Sequence, residues 1–165
     1  MGVNRIYDIK KIILTVLTGF CIIFIFMQSL LNGNVSGAES GKVVDFLNHF
    51  FNSLGIDITF SAYFIRKLAH FTEFTILGFS AYFTVKSYEN YKNKSYIITP
   101  LIYVLVAVID ECLQLFTVGR ACSVFDMLID SSGGTFGFIL ACLIHKIFLL
   151  RNSKNKKFGG DYNEG

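Results

Sequence analysis

Four long apolar runs, at residues 12–31, 61–85, 96–116 and 124–150, constrain this chain more than any other feature. The first carries no charge over about 20 positions, and at about 1.5 Å rise per residue such a helix crosses a hydrocarbon core of about 30 Å. The apolar share of the whole chain, 53%, is near that of a soluble domain, so clustering rather than composition carries the prediction. The expected fold is all-α: a polytopic membrane bundle of four transmembrane helices plus a short amphipathic interfacial helix. One domain, residues 1–150, is expected, with a disordered, polar cytoplasmic tail at 151–165. The first run exceeds the apolar core of a secretory signal peptide. A retained helix is therefore expected, although Ser36, Gly37 and Ala38 would suit a peptidase.

Basic residues alternate between the links. Arg5, Lys10 and Lys11 precede the first run, Lys86, Lys92 and Lys94 join the second to the third, and Lys146, Arg151, Lys154, Lys156 and Lys157 close the fourth. The remaining links hold Lys42, Arg66, Lys67 and Arg120. The positive-inside rule then places both termini in the cytoplasm of a bacterial-type cell membrane. That bias also explains the basic tail without a nucleic-acid partner. The four cysteines show no CxxC or zinc-finger spacing. Cys21 and Cys142 are expected as small buried hydrophobes, and Cys112 and Cys122, both near the outer face, as free thiols, with a disulfide between them as the alternative.

Residues 32–41, rich in Gly, Asn and Ser, read as a loop. Val43, Phe46, Leu47, Phe50, Phe51 and Leu54 then recur as one face of a helix, opposite Asp45, Asn48, His49, Asn52 and Ser53, with Gly55 as terminator. Two arrangements suit this segment: flat on the outer leaflet, or packed over the bundle as a lid. Pro100 is expected in or near the first turn of the third helix, where its missing amide costs little.

Ionisable residues interrupt the runs. At 100° per residue, Arg66, His70, Glu73 and Leu77 share a stripe of the second helix. Tyr103, Ala107, Asp110 and Gln114 share one on the third, and Asp126, Asp130, Gly133 and Gly137 one on the fourth. All the polar members lie near the outer ends, which predicts a shared, outward-opening cavity. Gly133, Gly137 and Ala141 have the small-xxx-small spacing of closely packed membrane helices. Five carboxylates (Glu73, Asp110, Glu111, Asp126, Asp130) outnumber Arg66, Lys67 and Arg120. That excess calls for protonation, a bound cation or a cationic ligand group. A locked ion-pair network, a binding site and a catalytic site each fit this pattern. His70 with Glu73 suits an acid/base couple, and the set suits a hard divalent ion, though no HExxH motif is present. Arg120, in the turn 117–120, is expected to fold inward onto Asp126.

These residues also carry a resemblance. Arg66-Lys67-Leu68-Ala69-His70-Phe71-Thr72-Glu73-Phe74 resembles the K-x-x-H-F-x-E-[YF] element of VanZ-like membrane proteins. Asp110-Glu111-x-x-Gln114-x-Phe116-x-x-Gly119-Arg120, followed by Asp126, Asp130, Gly133 and Gly137, resembles that family's second signature. The match covers residues 61–142. Val118 stands where the family commonly has proline before Gly-Arg, which leaves that turn less rigid. The resemblance implies a cell-envelope function, since the founding member is associated with low-level resistance to teicoplanin, a lipid-tailed glycopeptide.

The reading that follows is a site formed by Arg66, His70, Glu73, Asp110, Glu111, Gln114, Arg120, Asp126 and Asp130. It would bind a lipid head group, a lipid-linked cell-wall precursor or a glycopeptide antibiotic. The alternative is an intramembrane enzyme acting on an envelope lipid or lipid phosphate. There His70, Glu73, Asp110 and Asp126 are the catalytic candidates, with Arg66 and Arg120 clamping phosphate. A proton- or ion-coupled carrier is a third possibility, and would need several chains. Neither a cofactor, a resident metal nor an oligomeric state is assigned by the sequence.

Overall fold

In the computed structural model the described residues are 2–31 and 33–160. They form five α-helices and no strand: α1 (Gly2–Ser29), α2 (Gly33–Ser53), α3 (Ala62–Ser87), α4 (Ser95–Gln114) and α5 (Val124–Gly160). Three helical stretches are long and apolar enough to cross a bilayer: Tyr7–Ser29, Lys92–Gln114 and Val124–Ser153. The second predicted span, α3, does not reach that threshold. Its 26 residues would reach across, but Arg66, Lys67, His70, Glu73 and several threonines dilute its apolar character.

That dilution matches its position. α3 is the hub against which α1, α2, α4 and α5 all pack, most extensively α5. Ser61 caps its start, accepting from the Phe64 amide at 3.2 Å. Phe74, Leu77, Ala81 and Tyr82 are fully buried, and Phe74 and Leu77 form the core with Ile25, Tyr103, Val106 and Ala107. The outer surface is the reverse of a soluble protein's. Ile12, Val16, Phe20 and Ile23 on α1, Ile97, Leu101 and Leu105 on α4, and Phe136, Leu143 and Ile147 on α5 are all exposed. Apolar surface this continuous belongs against lipid.

Glycine permits the α3–α5 approach. A Cβ at Gly133 would strike the Phe71 carbonyl, and one at Gly137 the Thr75 carbonyl. Thr75 Oγ1 uses the proximity to donate to the Gly133 carbonyl at 3.2 Å. Fully buried Ala141 extends the small-residue face predicted for this helix.

Three expectations need correction. Residues 33–41 are not a loop but the first turns of α2, which begins at Gly33, while Asn32 lies outside the described residues. Weak local propensity was overridden by continuity with the amphipathic stretch that follows. Pro100 is the sixth residue of α4, beyond its first turn, so the Tyr96 carbonyl lacks its usual intrahelical donor. α5 runs on past Leu150 to Gly160, so the tail expected to be disordered is helical over 151–160; residues 161–165 lie outside the described set.

Lysines from the N-terminal part of α1 and the last turn of α3 gather at one end of the bundle. Lys10, Lys11 and Lys86 line a cavity of about 530 Å³ with Tyr88 and His145. The acidic groups of α3, α4 and α5 lie at the other end.

Candidate functional site

The opposite end is built from the last turn of α4, the loop 115–123 and the first turns of α3 and α5. Gly119, at φ 79°, turns the chain in the left-handed region, and the Arg120 amide closes the turn on the Thr117 carbonyl at 3.2 Å. Ser123 Oγ then accepts from the Asp126 amide at 3.4 Å as α5 begins. This short loop aims α4's carboxylates at α5's first turn, so Glu111 accepts the Ser123 amide at 2.8 Å.

Asp110, Glu111 and Asp130 are essentially inaccessible, and Gln114 nearly so. Gln114 Nε2 donates to Glu111 Oε1 at 2.8 Å and, more weakly, to Asp110 Oδ2 at 3.4 Å. Ser29, from the end of α1, donates to Asp110 Oδ1 at 2.5 Å. Lys67 pairs with Asp126. His70 Nδ1 stands 3.8 Å from Asp130 Oδ1 and 4.0 Å from Asp110 Oδ2, too far for a hydrogen bond to either. Among the described residues, four side chains here keep buried atoms without a partner: His70 Nδ1, Glu73 Oε2, Asp130 Oδ2, and Nε and Nη1 of Arg120, of which only Asp130 is buried as a whole. Buried polar atoms without partners are uncommon and need an explanation.

The predicted residues come together, though not as one surface. Arg66, His70, Glu73 and Arg120 line a cavity of about 200 Å³, completed by Gln28 of α1 and by Glu39, Ser40 and Val43 of α2. α2 therefore walls the site and packs on α3, with Phe46 and Phe50 left exposed, a placement that suits both arrangements considered for it. Beneath lies a void of about 10 Å³ bordered by Arg66, Lys67, His70, Glu111, Gln114, Asp126 and Asp130. Asp110 borders neither space and sits behind His70.

Arg120 turns inward as expected but not onto Asp126, whose partner is Lys67; among the described residues it makes no ion pair. Lys67 rises from α3 directly beside Asp126, whereas Arg120 leaves the loop on the cavity side. Burial and the neighbouring Arg66 charge push the Arg120 guanidinium below its ordinary value. Cys112 is exposed, Cys21, Cys122 and Cys142 are half-buried, and all four are free thiols.

Sequence reasoning missed Gln28, Ser29, Glu39 and Ser40. The signal for the first two was present: Gln28-Ser29 is the one adjacent pair of polar residues in the first apolar run, at the end where the other polar groups gather. Glu39 and Ser40 were hidden by the reading of 32–41 as a loop.

Neither the search of curated proteins nor the search of solved structures returns a match. The VanZ/LLP1 family does match, over residues 9–145, which takes in α1 to α4, the site and most of α5. With its apolar exterior and this match, the chain is a membrane protein that belongs to the VanZ/LLP1 family.

Proposed function

We propose that the cavity binds the anionic head group of an envelope lipid or lipid-linked cell-wall precursor at the outer leaflet. The carrying observation is Arg120: its Nε and Nη1 are buried without partners beside a cavity that Arg66 also lines. Two guanidiniums at one hollow suit a phosphate or carboxylate, which they grip through paired N–H groups. α3 is read as the fourth membrane span, its polar face turned to the bundle. Lys10, Lys11 and Lys86 cluster at the other end, which supports cytoplasmic termini and an outward-facing site. A protein that holds such lipids there would lower the efficacy of teicoplanin-type lipoglycopeptides, and the antibiotic's own lipid-tailed structure makes it a second candidate ligand.

Native mass spectrometry of the detergent-purified protein tests this. The parent should carry an anionic lipid whose adduct is lost in Arg120→Ala, and where the parent protects cells from teicoplanin the variant should not. Equal lipid adducts and equal protection in the two proteins would refute it.

The approach of His70 to two carboxylates beneath the arginines favours a second reading, an intramembrane enzyme acting on lipid phosphate. Turnover of undecaprenyl-type phosphates by the purified protein would establish that reading, and absence of turnover with divalent metals present would exclude it.

A further inference from the structure

We infer that His70, Asp110 and Asp130 form a divalent-cation site below the cavity. The inference does not depend on which ligand occupies the cavity above. Three helices each contribute one donor: α3 an imidazole, α4 and α5 a carboxylate, and ligand atoms of all three lie within 4.8 Å of one another. Side chains that only lock a bundle close to hydrogen-bond distance. These stop at 3.8 and 4.0 Å from His70 Nδ1, leaving a gap between them. Atoms about 4 Å apart have a common point about 2.3–2.5 Å from each, within the range of calcium–oxygen bonds and a few tenths of an ångström beyond zinc–ligand bonds, a gap that small side-chain shifts close.

A second observation points the same way. Asp130 is 1% exposed, yet among the described residues its Oδ2 has no partner, and neither has His70 Nδ1. Both side chains border the small void between α3, α4 and α5. Asp110 is held by Ser29 through Oδ1, the oxygen turned from His70, as outer hydrogen bonds commonly orient a metal-binding carboxylate, while Oδ2 takes only a long contact of 3.4 Å from Gln114. A dication would also neutralise two carboxylates that, among the described residues, pair with no lysine or arginine, since Lys67 is engaged by Asp126. One imidazole with two carboxylates suits Mn²⁺ or Zn²⁺ better than Mg²⁺, which prefers oxygen and water. His70 also lines the cavity of about 200 Å³, so water or a ligand oxygen could complete the coordination shell.

The test is metal analysis of the full chain, purified in detergent without a histidine tag and dialysed against Mn²⁺ or Zn²⁺. About one equivalent should be retained, and Asp130→Asn or His70→Gln should weaken binding about tenfold or more. Glu89→Gln, an exposed carboxylate at the lysine-rich end, should bind as the parent does. Should the triad variants fail to fold, pulsed EPR of the Mn²⁺-loaded His49→Gln/His145→Gln protein, in which His70 is the remaining histidine, should show imidazole ¹⁴N coupling. Failure of the folded parent to retain either metal, undiminished binding in the triad variants, or a Mn²⁺ signal without ¹⁴N coupling would each overturn the inference.

Discussion

Ser29 Oγ donates to Asp110 Oδ1 at 2.5 Å, a bond between the C-terminal end of α1 and the last turns of α4. Both side chains are fully buried, so the first membrane span is a structural part of the polar site rather than a detached anchor. Thr117 Oγ1 adds a second tie, donating to the Ser29 carbonyl at 3.3 Å.

Ser29→Ala should therefore destabilise the protein by about 1–3 kcal/mol, because a buried carboxylate oxygen loses its donor while water cannot replace it. Thermal unfolding in detergent measures this as a lowered Tm. An unchanged Tm would mean that Asp110 finds another donor.

Gly137→Ala should separate α3 from α5. The new Cβ would meet the Thr75 carbonyl, a backbone atom that cannot swing away, and overpacking of this kind costs about 1–3 kcal/mol. Gly19→Ala on α1 is the control: nothing lies within 4 Å of a Cβ there, and alanine is the better helix former. The expected order of Tm is Gly137→Ala below parent, with Gly19→Ala at or above it.

The Lys67–Asp126 pair should contribute about 1 kcal/mol in a double-mutant cycle with Lys67→Met and Asp126→Asn. Its side chains are 16% and 20% exposed, against 45% and 82% for Lys92–Glu89. The exposed pair should give a coupling near zero and be erased by salt, while the half-buried pair should persist. Equal couplings for the two would show that burial does not govern them.

Much of this architecture was legible because a bilayer leaves few choices. The apolar runs at 12–31, 61–85, 96–116 and 124–150 correspond to α1, α3, α4 and α5, and Ser61 caps α3 where the run begins. The stripes were legible too, since helical periodicity alone aligns His70 with Glu73 and Asp110 with Gln114. Pairing between helices was not. Periodicity within one helix does not say whether Arg120 or Lys67 meets Asp126, and only the path of the loop after Gly119 sends Arg120 to the cavity and leaves Asp126 to Lys67. The start of α2 was missed because Gly, Asn and Ser favour turns locally, and a helix already committed downstream outweighs them.

The most direct test of the account is the side of the membrane on which the Arg120 loop lies. With the four native cysteines changed to serine, a single cysteine is placed at exposed Ala121, or at exposed Tyr91 beside the lysine-rich end. A membrane-impermeant maleimide should label Ala121→Cys in intact cells and Tyr91→Cys only after permeabilisation. The reverse pattern would put the arginines and the acidic cluster in the cytosol and contradict an outward-facing site.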